Sequence, residues 1–316
     1  MVLSDQTRVV ALAGGVGGAK LAYGLAQILP PEHLTVVGNV GDDFELYGLH
    51  ISPDLDTLMY TLAGVANPAT GWGLADETWQ ILDMLRRYGE DAWFGLGDRD
   101  VATHLLRTAW LRQGMTLTDV TARLSQALGV ACRLLPVTDD WLATMVDTVE
   151  QGTLAFQEYF VRERWQPTVR RVWFRHGIQL RITSLVQAAL READVIVICP
   201  SNPVLSIGPM LAVPGLRGAL EARTAACVAV SPFVGGKAVK GPADKLMGEM
   251  ALDVSPNGLV RSYEGLLDGL VIDTGDPGKH GEGAIPILET ATLMETNDDR
   301  VRLAREVLSW VGSGLK

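Results

Sequence analysis

Short runs of apolar, mostly β-branched residues alternate along this chain with helical patterns, and this alternation limits the possible fold more than any other feature. The runs are VVALAG (9–14), LTVVGNV (34–40), ADVIVICP (193–200), AACVAVSP (225–232) and GLVIDTG (269–275). Continuous apolar runs are typical of strands buried on both faces of a parallel sheet. Segments such as AKLAYGLAQIL and SLVQAALREA place apolar residues three and four positions apart, as amphipathic helices do. The sequence therefore predicts an α/β protein with a Rossmann-like, doubly wound, mostly parallel sheet.

The length of 316 residues exceeds what one small hydrophobic core usually organises. Between about residues 115 and 190 the pattern changes, and the stretch LAFQEYFVRERWQPTVRRVWFRHG is rich in Trp and Arg, with alternating positions. Such alternation is typical of a few shorter strands. We therefore predict a core formed by residues 1–114 and 191–316, with a smaller α+β lobe inserted at 115–190.

The charge balance limits the partners. The chain has 27 Lys and Arg against 37 Asp and Glu, a net charge of −10 at pH 7. Nucleic acid and anionic membranes both require a basic protein face, so we expect neither as a partner. Three scattered cysteines without a CxxC pair argue against a disulfide framework and a zinc ribbon. The N-terminus lacks the features of a secretory signal and no apolar run approaches the roughly 18 residues of a membrane span, so a cytoplasmic location is expected.

The sequence GGVGGAK directly follows the first predicted strand and opens a helix. A glycine-rich turn at this position lets backbone N–H groups approach a phosphate, and the helix dipole favours the anion. The motif lacks the GKS/T ending of a Walker loop, and no clear acidic residue ends the second strand as a dinucleotide fold requires. A tight turn without a ligand is the alternative. The predicted phosphate-binding residues are Gly14, Gly15, Gly17, Gly18 and Lys20.

Four aspartates follow the second predicted strand within fifteen residues: Asp42, Asp43, Asp54 and Asp56. Ligands of open α/β sheets bind at the carboxyl ends of the strands. Carboxylate oxygens suit Mg²⁺, a hard cation, so we expect at least one of these aspartates to contact metal or substrate. The alternative is that some of them serve only in turns or as helix caps.

Further polar loops stand at comparable positions. Ser201 and Asn202 follow the strand at 193–200, and the loop at 231–242 combines glycines with two lysines. That loop is typical of a second anion cradle, with Gly235, Gly236, Lys237 and Lys240 as its candidate residues. In GLGDRD (95–100), Arg99 is a candidate for gripping a phosphate or an aromatic ring. The alternative for Asp98 and Arg99 is a capped helix start with a weak surface pair, and we interpret His104 as structural.

Taken together, GGVGGAK, GDD followed by SPDLDT, WFGLGDRDVATHL, LPVTDD, FQEYFVRE, PSNPVLSIGPML and SPFVGGKAVKGPADKLM resemble the 2-phospho-L-lactate transferase (CofD) family. These motifs occur in family order from residue 9 to about 250. The resemblance implies transfer of a phospholactyl or phosphoenolpyruvyl group from a guanosine diphosphate ester to the 5′-hydroxyl of the deazaflavin Fo. This Mg²⁺-dependent step of coenzyme F420 biosynthesis releases GMP. It also implies a homodimer.

The resemblance further assigns roles by motif. Asp42 and Asp56 are the first choices for Mg²⁺, with Asp43 and Asp54 close behind. Asp43 or Asp56 is the candidate proton acceptor. Asp56, Asp98 and Arg99 border the expected deazaflavin pocket. Lys237 or Lys240 would offset charge on the departing GMP. The guanosine diphosphate ester is expected to contact the glycines from Gly14 to Gly18, the Ser201–Asn202 pair and the loop from Gly235 to Lys240.

Two other functions compete with this reading. A nucleotide-sugar-binding regulatory protein of the gluconeogenesis-factor type shares the glycine-rich start and the aspartate pair, but SPDLDT, GDRD and FQEYFVRE favour the transferase. A nicotinamide-dependent oxidoreductase is disfavoured because glycines alone are a weak fingerprint. Lactyl and enolpyruvyl donors are not distinguished, because they differ by few atoms.

Overall fold

A computed structural model describes residues 6–239, 241–276 and 285–315. In this part of the chain the strands are β1 (Val9–Ala13), β2 (Leu34–Gly38), β3 (Phe44–Leu46), β4 (Leu49–Ile51), β5 (Arg133–Pro136), β6 (Leu142–Thr148), β7 (Gly152–Ala155), β8 (Val169–His176), β9 (Val195–Ile198), β10 (Ala226–Val230), β11 (Phe233–Val234), β12 (Lys237–Ala238), β13 (Gly269–Asp273) and β14 (Ile287–Thr290). The α-helices are α1 (Gly15–Ala26), α2 (Pro53–Leu62), α3 (Gln80–Arg87), α4 (Asp98–Arg112), α5 (Leu117–Ala127), α6 (Ser184–Glu192), α7 (Gly208–Ala212), α8 (Leu216–Glu221), α9 (Ala243–Glu249), α10 (Pro256–Ser262) and α11 (Asn297–Gly312). Short π-helical turns occur at Glu158–Arg162 and Pro203–Ile207, and a 3₁₀ turn at Pro31–His33.

A seven-stranded sheet forms the centre of the described structure, in the order β14-β13-β10-β9-β1-β2-β5. Every pair of neighbouring strands in it is parallel. The predicted α/β fold is therefore confirmed, and each of the five predicted apolar runs forms one strand. The sequence prediction did not include β5 and β14, the two edge strands. Both are only four residues long, and each contains a charged residue.

Successive residues of a central strand face opposite helical layers, as buried parallel strands require. Val9, Ala11 and Ala13 of β1 pack in one core with α1, α2, α5 and α11. Val10 and Leu12 pack in a second core with α6, α7, α8 and α10. Helices therefore cover both faces of the sheet, and this explains why the strands have no polar alternation in the sequence.

The chain reverses direction across the sheet at β1. From β1 the chain proceeds outward through β2 to β5, and after β9 it proceeds in the opposite direction through β10 and β13 to β14. The loops after β1 and β9 consequently diverge at the carboxyl ends of two neighbouring strands. A crevice at such a reversal is the usual ligand-binding position in doubly wound sheets.

A separate three-stranded antiparallel sheet has the order β7-β6-β8 and spans residues 142–176. It lies inside the range 115–190 that we predicted as an inserted lobe. The same range also includes α5 and β5, and β5 pairs with β2 in the main sheet. Two small hairpins, β3–β4 and β11–β12, add to the carboxyl-end side of the fold. The division into a core and an inserted lobe stays a prediction.

The three cysteines, Cys132, Cys199 and Cys227, are free and buried. Burial raises the pKa of the Cys132 thiol to about 11, so this group stays protonated at neutral pH. Among the described residues, no helix combines the length and the apolar character needed to cross a bilayer.

Candidate active site

A cavity of about 880 Å³ lies at the carboxyl ends of β1, β9 and β10. Its volume is within the usual range of small-molecule sites. The glycine turn after β1, the start of α2, the loop after β9, the β11–β12 hairpin and the segment after β7 all contribute to its wall. The lining includes the ionisable residues Lys20, Asp42, Asp54, Asp56, Asp100, His104 and Arg164.

The glycine turn connects three chain segments. Gly15 has a φ of +64°, a left-handed conformation that glycine adopts without steric cost. The Gly14 N–H donates to the Ser201 hydroxyl oxygen at 3.1 Å, and the Gly15 N–H donates to Asp54 Oδ1 at 2.7 Å. The N–H groups of Gly14 and Gly15 are therefore already bonded to a hydroxyl oxygen and a carboxylate oxygen of the chain itself. Binding of a carboxylate at this position is typical of an anion-binding helix start.

Gly17 and Gly18 permit close packing of α1. A Cβ on Gly17 would lie 2.3 Å from the Pro200 carbonyl oxygen, and one on Gly18 would lie 2.5 Å from Ser201 Oγ. Both distances are far below van der Waals contact, so these glycines allow α1 to approach the loop after β9. Lys20, one turn further on, lines the cavity and donates through Nζ to the Met294 carbonyl.

Asp42 and Asp54 form a buried carboxylate pair next to Asn39. The Asn39 amide donates to Asp54 Oδ2 at 2.9 Å and approaches Asp42 Oδ1 at 3.4 Å, and the Gln157 amide lies 3.3 Å from Asp42 Oδ2. Burial raises the pKa of Asp42 well above its usual value, and the charges of Asp54 and Asp43 raise it further. Burial also raises the pKa of Asp54 to about 6, although the hydrogen bonds from Asn39 and Gly15 lower it.

This pair has the properties of a site for a hard divalent cation. Neither carboxylate forms an ion pair within the described part of the chain. Two buried carboxylates that repel each other gain most from a cation placed between them. Oxygen donors of this kind are the ones Mg²⁺ prefers. Asp42 and Asp54 therefore fit the expected metal.

Asp56 has a different environment. Its Oδ2 accepts from Arg107 Nη1 at 3.0 Å, and its Oδ1 accepts from Arg107 Nη2. Both residues are almost completely buried. Burial raises the pKa of Asp56, and Arg107 opposes that shift. Because the guanidinium already neutralises this carboxylate, Asp56 has less need of a metal ion than Asp42 or Asp54.

Asp56 also belongs to a wider buried network on α2 and α4. His104 Nδ1 lies 3.1 Å from Arg107 Nη1, and its Nε2 lies 3.4 Å from Asp100 Oδ2. The Tyr60 hydroxyl donates to Asp100 Oδ1 at 2.6 Å. Ligand atoms of Asp56, Asp100 and His104 lie within 4.8 Å of one another. Since arginine can only donate, His104 Nδ1 must accept, and the ring proton is assigned to Nε2.

Residues 9–304 match the family described as 2-phospho-L-lactate transferase CofD. The chain belongs to the CofD family. A "Phosphoenolpyruvate transferase" of Kitasatospora aureofaciens is 45% identical over 292 residues, covering 90% of this chain and 89% of that protein. One of Streptomyces griseus is 42% identical over 309 residues, covering 95% and 97%, and one of Mycobacterium sp. strain KMS is 40% identical over 327 residues, covering 94% and 98%.

A solved structure of a UPF0052 family protein from Bacillus halodurans has a TM-score of 0.63 at 15% identity. The match covers 96% of this chain and 99% of that one. At this identity the likeness supports the fold alone. The family match makes this chain a member of a transferase family, so the CofD resemblance predicted from the sequence motifs is confirmed.

Among the other predicted positions of this CofD-family chain, Ser201 and Asn202 line the main cavity, whereas Asp43, Asp98, Arg99, Gly235, Gly236 and Lys237 do not. Asp43 accepts from Ser52 Oγ at 2.8 Å and from His50 Nε2 at 3.0 Å. It lines a smaller cavity of about 350 Å³ that also contacts Asp42. Its buried Oδ1 has no hydrogen-bond partner among the described residues. Asp43 is thus next to the carboxylate pair but not in the main cavity wall.

Asp98 and Arg99 also do not line the main cavity. The Asp98 carboxylate accepts from the N–H groups of Gln80 and Ile81 at 3.1 and 2.9 Å, so it caps the start of α3. Arg99 is exposed and donates to the Ala75 carbonyl oxygen at 2.9 Å. Asp98 therefore caps α3 although it lies in α4, and Arg99 forms no ion pair with an aspartate among the described residues, so the geometry differs from the alternative of a capped α4 with an Arg–Asp surface pair. Within this motif, Gly95 and Asp100 are the residues that line the cavity.

Ser201 and Asn202 both line the cavity, and Asn202 Oδ1 also accepts from the N–H groups of Val204 and Leu205. In the β11–β12 hairpin, Gly235 and Gly236 have φ angles of +61° and +74°. Lys237 is exposed, and the hairpin lines the cavity through Val234, Ala238 and Val239. Lys240 lies outside the described residues.

Sequence reasoning missed the partners of Asp56. Arg107 was placed on the same predicted helix as His104 but given no role, and His104 was interpreted as structural. The only available signal was that Asp100, His104 and Arg107 share one face of a predicted helix at three- and four-residue spacings. That spacing does not show that Asp56, 51 positions away, completes the group.

Proposed function

We propose that this chain transfers a phosphoenolpyruvyl or 2-phospholactyl group from a guanosine diphosphate ester to the 5′-hydroxyl of the deazaflavin Fo. The reaction releases GMP and belongs to coenzyme F420 biosynthesis. The observation that carries the proposal is the cavity of this CofD-family chain. It joins an amide-donating glycine turn to a buried carboxylate pair that has no ion-pair partner among the residues the structure describes. The names of the relatives favour the phosphoenolpyruvyl group.

In the proposed reaction, the acceptor oxygen forms a bond to the phosphorus that bears the three-carbon acid. The bond from that phosphorus to the bridging oxygen of GMP breaks, and GMP departs with the electron pair. Catalysis of this kind depends on positioning and on stabilising negative charge rather than on a covalent intermediate. The start of α1 would hold the diphosphate through the backbone N–H groups that follow Gly15, because those of Gly14 and Gly15 already donate to Ser201 and Asp54.

Asp42 and Asp54 would hold Mg²⁺, which supplies charge neutralisation at the diphosphate when it is bound. Of the two predicted proton acceptors, Asp56 lines the main cavity and Asp43 does not. Burial raises the pKa of Asp56, which favours uptake of the hydroxyl proton. Arg107 fixes the orientation of this carboxylate through two hydrogen bonds.

A homodimer and a cytoplasmic location are further parts of the proposal.

The test is to incubate the purified protein with Fo, Mg²⁺ and each candidate guanosine diphosphate ester, and to identify the products by mass. The expected products are GMP and an Fo phosphodiester without glutamate. Asp42→Ala and Asp54→Ala should each lower kcat/KM at least 100-fold, because they remove carboxylates from the metal site. They should also weaken Mn²⁺ binding measured by electron paramagnetic resonance.

Asp83→Ala is the matched control, since Asp83 is exposed and its one ion pair within the described ranges is with Arg86 on the same helix. It should leave turnover and Mn²⁺ binding unchanged. Full turnover in both Asp42→Ala and Asp54→Ala would refute the metal assignment. Absence of any Fo product with either ester would refute the proposed reaction.

A further inference from the structure

The segment that follows β7 forms one side of the cavity. It has no assigned role in the proposed reaction. It contains the FQEYFVRE motif and the loop after it. Its cavity-lining residues are Phe156, Gln157, Phe160, Val161, Arg164, Trp165 and Gln166. Three of its rings form a row, with 5.3 Å between the centroids of Phe156 and Phe160 and 5.3 Å between those of Phe160 and Trp165.

The backbone of this segment is strained at two consecutive positions. Arg164 has a φ of +50° and Trp165 a φ of +48°, a left-handed conformation that is unfavourable for residues with a Cβ. Two hydrogen bonds hold the turn: the Trp165 N–H donates to the Tyr159 carbonyl oxygen at 2.9 Å, and the Gln166 N–H donates to that of Glu163 at 3.0 Å. Strain that the surrounding structure maintains in a cavity wall is characteristic of ligand-binding segments.

The strained turn places the positively charged side chain of Arg164 at a cavity whose other ionisable lining residues are mostly aspartates. Two of the described lining residues carry an obligatory positive group, Lys20 and Arg164. The Lys20 ammonium donates to the Met294 carbonyl. Arg164 forms no ion pair with any residue in the described ranges, whereas the nearby Arg162 pairs with Asp91 at 2.5 Å on the outer surface. Arg164 is therefore available to an anionic ligand.

We propose that Arg164 binds the carboxylate of the three-carbon acid in the donor. This inference rests on the proposed function, which requires a donor with two kinds of anionic group. The backbone amides of the glycine turn and the Asp42–Asp54 metal site match the diphosphate. The carboxylate needs a separate cation, and the planar guanidinium can meet its two oxygens with two parallel hydrogen bonds. The row formed by Phe156, Phe160 and Trp165 offers an apolar surface to the carbon atoms of the acid.

Steady-state kinetics of Arg164 variants test this assignment. Arg164→Ala should raise the KM for the guanosine diphosphate ester about ten- to 100-fold, the range expected for a hydrogen-bonded charge pair. The KM for Fo should stay within about twofold of the wild-type value. Arg164→Lys should give an intermediate KM for the ester, because lysine retains the positive charge but cannot form two parallel hydrogen bonds to a carboxylate. The Kd of GDP, which has no carboxylate, should also change less than about twofold.

Arg164→Gly separates a binding role from a structural one. Glycine adopts a φ of +50° without steric cost, so this variant should unfold at the same temperature as the wild type or a higher one. Its KM for the donor should nevertheless rise as in Arg164→Ala. Arg162→Ala is the control arginine on the same segment, and it should leave the KM for the donor unchanged.

Two results would overturn the assignment. An unchanged KM for the donor in Arg164→Gly would show that the guanidinium does not contact the donor. An equal loss of GDP binding would show that Arg164 holds phosphate instead. Both results require a wild-type protein that makes the Fo product, so they differ from failure of the proposed function, in which the wild type itself is inactive.

Discussion

At the scale of single residues, Asp54 shows how the cavity combines opposing effects. It receives hydrogen bonds from the Gly15 amide and the Asn39 side chain, and both favour its ionised form. Its pKa is nevertheless raised to about 6, because removal of water from the buried carboxylate outweighs these contacts. Without a bound cation, the ionised and buried Asp54 carboxylate therefore lowers the free energy of unfolding at neutral pH.

This balance predicts a pH dependence of stability. The folded state binds the Asp54 proton more tightly than the unfolded state, so the free energy of unfolding falls as pH rises from about 4 to about 6. Asp54→Asn removes this contribution, so its stability relative to the wild type should increase between pH 4.5 and pH 7. Urea denaturation at both pH values measures the difference. A relative stability that falls over this interval would contradict the raised pKa.

At the scale of elements, the position of α1 depends on glycines that face other backbone segments. Gly17→Ala would place a methyl group 2.3 Å from the Pro200 carbonyl oxygen, so α1 would have to move away from the loop after β9. We expect a loss of about 1–3 kcal/mol in the free energy of unfolding, the usual cost of overpacking. The displaced turn should also weaken GDP binding, which isothermal titration calorimetry can measure.

Gly218→Ala provides the matched control. Gly218 lies in α8, and a Cβ there would meet no atom within 4 Å. Alanine should stabilise this helix by roughly 0.5–1 kcal/mol and leave nucleotide binding unchanged. If Gly17→Ala instead behaved like Gly218→Ala, the close contact between α1 and Pro200 would not exist in solution.

The elements also show how far the sequence could predict the structure. Apolar runs predicted β1, β2, β9, β10 and β13, because strands buried on both faces consist almost entirely of apolar residues. The edge strand β5 was missed because RLLP is short and begins with an exposed Arg133. Glycine and aspartate motifs pointed to several of the loops that meet at the cavity, but not to the segments at 156–166 and 292–294. The Arg107–Asp56 pair could not be predicted, because nothing in either local pattern specifies a partner on another helix.

At the scale of the whole molecule, the cavity is assembled from chain segments that are far apart in sequence. Residues near 14–20, 42–57, 156–166, 200–206, 231–243 and 292–294 all contribute to its wall. A ligand in the cavity would therefore bind several segments that come together only in the folded state. Such a ligand stabilises the folded chain by RT ln(1 + c/Kd), where c is the free ligand concentration.

This assembly predicts a thermal shift that depends on both ligands. GDP with Mg²⁺ at about 100 times its Kd should stabilise the folded protein by about 2.7 kcal/mol and raise the Tm. GDP without Mg²⁺ should give a smaller shift, because the phosphates would then face the charges of Asp42 and Asp54 directly. Differential scanning calorimetry gives both values. Equal shifts with and without Mg²⁺ would argue against a shared nucleotide and metal site.

The hydrogen bond from Lys20 to the Met294 carbonyl has a consequence for biosynthesis of the enzyme. The two residues of this contact stand 274 positions apart in the sequence. A nascent polypeptide that does not yet include Met294 lacks part of the cavity wall. The complete cavity should therefore form only after Met294 has been synthesised.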